Sequence, residues 1–176
     1  MGQFIVLDLE WNQSPAGKEG SMNRLPFEII EIGAVKLNKN LQIISEFRRL
    51  IRPRVYRQMH YKISEVTHMS IEQLDTEGED FVRAMTEFLE WCGDDYRFCT
   101  WGSMDLTELQ RNIGISRDGA AVFHTPLLYY DLQKIYAHDP RHQAKGVVRY
   151  RGRGIAPHGR PPFHRRWMMR TTRGVS

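Results

Sequence analysis

Residues 4–13 read FIVLDLEWNQ. The run is short, apolar and rich in branched side chains, the composition of a buried central strand. It also carries two carboxylates, Asp8 and Glu10. A buried carboxylate is costly unless something compensates it. Side chains two apart on a strand share a face, so Asp8 and Glu10 converge near the strand's carboxyl end. Two close carboxylates repel unless a cation lies between them. Hard divalent cations such as Mg²⁺ take oxygen ligands and keep waters. The pattern therefore reads as half of a metal site. Alone, D-x-E is a weak signal, because a solvent-facing pair on an edge strand has the same sequence.

Outward from this strand, FEIIEIGAVKLN (27–38) reads as a second strand and ISEFRRLIRP (44–53) as a third, stopped by Pro53. NKN (38–40) supplies the turn between them. SIEQL opens a helix with Ser70 as its N-cap. DFVRAMTEFLEWCG (80–93) reads as an amphipathic helix with Phe81, Met85, Phe88, Leu89 and Cys92 near one face. YRFCTWG (96–102) reads as a strand, and SMDLTELQRN (103–112) as a helix capped by Ser103. PLLYYDLQKIY (126–136) joins a strand end to a helix start. Strands first, then helix and strand in alternation, predict one α/β domain. No internal repeat and no linker precede residue 140.

Asp105 falls just after a predicted strand, in the first turn of a helix. Open α/β sheets place ligands at such strand ends. A helix-start acid favoured by the macrodipole has the same pattern. His164, in PPFHRRW (161–167), stands among arginines, a setting equally typical of a surface histidine.

Composition bounds the class. The chain has 176 residues, 41% hydrophobic and 26% charged, enough for one domain with a sizeable core. No apolar run approaches the roughly 20 residues that span a bilayer. The start MGQFIVLDLEW lacks a basic region and a cleavage-like site. It also lacks the Ser or Thr of a myristoylation signal. Cys92 and Cys99 are the only cysteines, too few for a disulfide framework or a four-ligand zinc site. These features predict a reduced, cytoplasmic protein with no membrane association. The net charge of +4 is uneven: residues 141–176 hold ten Arg or Lys and no acid, leaving fifteen basic and twenty-one acidic residues before them. A basic tail points to a nucleic-acid contact, or to a solvated tail.

Taken together, DLEW, then EIIEIGAV, ISEVTHMSIEQL, WGSMDLTEL and a late FHR resemble the DEDDh 3′–5′ exonucleases, the DnaQ-like group. The resemblance runs from residue 4 to about 110, then less cleanly to His164. It implies a ribonuclease H-like fold, a mixed central sheet flanked by helices. It implies an exonuclease core over residues 1–140, followed by a basic segment (141–176) with the remnant of the last motif. The implied chemistry is hydrolysis of phosphodiester bonds from the 3′ end of single-stranded DNA or RNA, with two Mg²⁺ or Mn²⁺ ions. Asp8, Glu10 and Asp105 match three of the four acidic ligands, and His164 matches the general base. Trp11 and Asn12, just past the acids, fall where the 3′-terminal nucleotide would be touched. Trp11 would do so by stacking on a base, although a core tryptophan fits that position as well.

The resemblance breaks at one place. The family has a carboxylate five residues after the histidine, in an H-R-A-L-D-D-like stretch. Here position 169 is Met, which cannot serve a hard-metal site. The genetic code offers one account. Trp167-Met168-Met169 has a single coding, TGGATGATG. Read from the last base of the Trp codon, it gives Asp-Asp. With allowed codons, Arg165 to Arg173 then reads A-L-D-D-A-Y-Y-T, the family motif. Ile115–Val122 and Val147–Ile155 can be shifted in the same way, with free codon choices. A base lost after Arg165 makes this C-terminal region frameshifted. The other account is a diverged, catalytically impaired relative that binds nucleic acid without the fourth carboxylate.

Overall fold

The computed structural model describes residues 2–116 and 129–138. The strands are β1 (Gln3–Asn12), β2 (Glu28–Leu37), β3 (Ile43–Leu50), β4 (Tyr96–Thr100) and β5 (Tyr129–Asp131). They form one mixed sheet in the order β3-β2-β1-β4-β5. β1, β2 and β3 are an antiparallel meander. β4 joins β1 in parallel, and β5 joins β4 in parallel. The helices are α1 (Tyr61–Thr67), α2 (Ile71–Glu77), α3 (Phe81–Cys92), α4 (Met104–Ile115) and α5 (Leu132–His138). This is the α/β, ribonuclease H-like sheet expected from the sequence. His164, Met169 and the segment 141–176 lie outside the described residues.

The alternation in β1 sorts its two faces. Ile5, Leu7 and Leu9 are buried in the main core with Ile32, Ala34 and Phe47 of the neighbouring strands. Phe81, Ala84, Met85, Phe88 and Cys92 of α3 and Leu106, Leu109 and Ile113 of α4 close that core. Leu89, read from periodicity as a core position, is only partly buried, and Ala84 takes the deeper place. Asp80 caps α3 by accepting from the N–H groups of Val82 and Arg83. Ser70 caps α2 by accepting from the Gln73 N–H. Ser103 occupies the N-cap position of α4, but its side chain makes no cap bond.

Helix α1 has no clear sequence signal. Its N-cap, His60, makes no side-chain cap bond, and its seven residues are too few for a periodic pattern. It ends at His68, whose φ of 59° is left-handed. With α2 it brackets a second small core: Ile30, Met69 and Leu74, packed against Leu50, Met59 and Ile63. Ile30 reaches that core because the β1–β2 register shifts there: Glu10 opposes Glu31, but Trp11 opposes Ile29. The extra residue is a β-bulge, which re-aims side chains at the end of a strand pair.

Candidate active site

Asp8 and Glu10 lie on the face of β1 opposite Leu7 and Leu9, and both are half-buried. Asp105 reaches the same stretch from another element. β4 pairs with β1 only as far as Val6 opposite Cys99. Beyond that point the strands part, and the Leu9 N–H has no strand partner on that side. The Asp105 carboxylate takes it, Oδ1 accepting at 3.1 Å. Leu9 stands between Asp8 and Glu10, so the third acid is anchored to the backbone between the first two. Asp105 is buried, at 7% exposure, because Leu106 and Leu109 hold the start of α4 in the core. Two hydrogen bonds fix α4 further along, at the start of β2: Asn112 accepts from the Ile29 N–H at 3.0 Å and donates to the Phe27 carbonyl at 3.0 Å.

The donor set is three carboxylates, which suits a hard divalent cation rather than a soft one. Among the described residues, no group of three or more His, Cys, Asp or Glu side chains is arranged to hold a metal ion. The acids are gathered at one stretch of strand without being closed into a cage.

The two other residues expected at the site are placed differently. Trp11 is partly buried; it packs on the main core and lies 5.7 Å from Phe27, centroid to centroid. Asn12 is fully buried. Its amide donates to the carbonyls of Tyr56 (3.2 Å) and Gln58 (2.9 Å), and its oxygen accepts from the His60 N–H (3.0 Å). Those bonds spend the side chain. Asn12 is a stitch that fixes the 56–60 segment beside the acid strand, not a free contact group.

Two further acids, Glu28 and Glu31, shape the site. Glu28, which opposes Asn12, accepts from the N–H groups of Arg54, Val55 and Tyr56 at 2.6–3.1 Å. With Asn12 it pins the whole 54–60 segment. Glu31 opposes Glu10 and shares its face; it is 1% exposed and pairs with Arg48 through two bonds of 2.7 and 3.1 Å. An acid inside the apolar run EIIEIGAV raises the same question as Asp8 does in FIVLDLEW, and that signal was available.

The exonuclease family model RNase_T matches residues 5–114. The chain belongs to this exonuclease family. No curated protein matches it in sequence. Among solved structures, the nuclease domain of 3′hExo, a DEDDh family member bound to rAMP, is 23% identical with a TM-score of 0.62; the match covers 82% of this chain and 74% of that one. Cell-death related nuclease 4 (CRN-4) is 19% identical with a TM-score of 0.65, covering 83% of this chain and 49% of that one. E. coli Exonuclease I in complex with a dT13 oligonucleotide is 12% identical with a TM-score of 0.52, over 75% of this chain and 28% of that one. At these identities the likeness is one of fold. Family and fold together make the protein a nuclease. No helix among the described residues is long and apolar enough to cross a membrane.

Proposed function

We propose that this protein is a metal-dependent 3′–5′ exonuclease acting on single-stranded nucleic acid. The observation that carries the reading is the 3.1 Å bond from the Leu9 N–H to Asp105. It ties an acid from α4 to the backbone between Asp8 and Glu10, as a shared oxygen site requires. In this reading Asp8, Glu10 and Asp105 would hold two Mg²⁺ or Mn²⁺ ions, and the ions would supply positive charge for phosphodiester hydrolysis. His164 would take the proton of the attacking water, as an imidazole base can. Trp11 borders the terminal nucleotide, and Asn12 acts indirectly by holding the 56–60 segment in place. The solved relatives bound to rAMP and to a dT13 oligonucleotide support a nucleic-acid substrate.

Met169 stands where the fourth carboxylate falls. We propose that the restored reading A-L-D-D-A-Y-Y-T after Arg165 is the active form, and that the chain with Met169 binds metal weakly. The test uses a 5′-labelled oligonucleotide with Mg²⁺ or Mn²⁺. The frame-restored chain should shorten it stepwise from the 3′ end, and Asp8→Ala should abolish this. The chain with Met169 should cleave little. Absence of metal-dependent shortening by the restored chain sinks the proposal.

A further inference from the structure

The face of the sheet that carries the acids also carries a cation held in a fixed position. Ladder partners share a face, so the register places Asp8, Gly33 and Arg48 in one row across β1, β2 and β3. The next row is Glu10, Glu31 and Leu50. Gly33, which is buried, places no side chain between Asp8 and Arg48. Arg48 leans diagonally to the second row, where its Nε and one terminal nitrogen grip Glu31. Glu31 is 1% exposed, whereas the Arg48 side chain is 50% exposed.

Two of the five guanidinium N–H groups are spent on Glu31. The others sit on a half-exposed group, beside acids that by themselves repel a polyanion. Glu31 also removes the rotational freedom that an arginine loses when it binds a ligand. A planar fork with spare donors, locked beside a phosphodiester-cleaving site, matches the recognition of a phosphate.

We propose that Arg48 is a substrate-phosphate contact: Glu31 fixes the guanidinium, and its remaining N–H groups receive a backbone phosphate of the bound strand on the β3 side of the acids. Glu31 is then a positioning residue for Arg48. This inference rests on the nuclease reading above.

The test is binding of a fluorescent single-stranded oligonucleotide by anisotropy across a salt series. One phosphate contact to a single strand contributes about 0.7 to the slope of log K against log salt. Arg48→Met keeps the aliphatic stem; it should weaken binding about tenfold at low salt and make the slope shallower by about 0.7. Arg48→Lys should keep the slope and lose part of the affinity, because the charge remains and the fork does not. The double variant Glu31→Gln/Arg48→Met avoids stranding a buried charge, so it reports even if the single variant fails to fold. It should show the same shallower slope. An unchanged slope in either folded Arg48→Met variant overturns the inference while leaving the nuclease reading standing. No binding by the unsubstituted protein overturns both.

Discussion

Asp105 does two separable things, and two substitutions tell them apart. Its carboxylate accepts from the Leu9 N–H at 3.1 Å, and its charge belongs to the acid cluster. Asp105→Ala removes both. The Leu9 N–H is then left without its acceptor in a buried place, because β4 has already parted from β1. Stranding a buried donor costs about 1–3 kcal/mol. For a protein of this size that lowers the melting temperature by about 2–4 °C per kcal/mol. Asp105→Asn keeps an oxygen in the same place and removes only the charge. Without metal it should melt with the unsubstituted protein or slightly above it, since repulsion from Asp8 and Glu10 is relieved. Metal separates the pair in the other direction. A cation that binds only the folded state raises stability by RT ln(1 + [L]/Kd). Mg²⁺ or Mn²⁺ should therefore stabilise the frame-restored protein, and neither variant made in it should respond. Scanning calorimetry with and without metal reads both effects. Equal melting of the Ala and Asn variants without metal would refute the backbone-anchor argument. A full metal response in Asp105→Asn would refute the ligand role.

Asn12→Ala removes three bonds to the 56–60 backbone and should cost about 2–4 kcal/mol. Denaturant titration measures the loss, and hydrogen exchange should show the His60 amide opening first. Glu108 is fully buried with one carboxylate oxygen unpartnered. Burial raises its pKa above the ordinary value, and Arg111 offsets this only in part. The folded state thus binds that proton more tightly than the unfolded state. Its contribution is complete below the ordinary glutamate range and is lost as pH rises through the raised folded pKa. Glu108→Gln should therefore gain on the unsubstituted protein as pH rises through that window; a gap between their melting points that does not vary with pH contradicts this. The base sequence of codons 110–176 should show an in-frame Asp-Asp after Arg165 once a missing base is restored. If Trp-Met-Met stands in the gene, the frameshift account is wrong, and binding without cleavage becomes the expected behaviour of this chain.

Much of the sheet was legible because its signals are local. The branched apolar runs marked β1, β2 and β3, and the spacing of Phe81, Met85 and Phe88 marked α3. Asp105 was legible as a strand-end acid, but its anchor on Leu9 was not. That bond joins residues ninety-six apart and depends on where β4 leaves β1. The bonds of Asn12 were hidden for a related reason: only the returning 56–60 segment shows what its amide holds. Helix α1 lacked both a side-chain cap and enough length for a period. Arg48 and Glu31 form a row only through the register of three strands, which no linear pattern displays.

The sheet order has a kinetic consequence. β1, β2 and β3 are consecutive hairpins, whereas β4 returns to β1 after some ninety residues. Local pairings form before those that must close a long loop. Asp8, Glu10, Glu31 and Arg48 all belong to the early meander. Asp105 arrives only when β4 docks and α4 packs behind it. The acid pair is thus built first and its third member last. Mutations in the β1–β2 core should slow folding, while Asp105→Ala should mainly speed unfolding. A chevron analysis that places Asp105 in the folding nucleus would reverse that order of assembly.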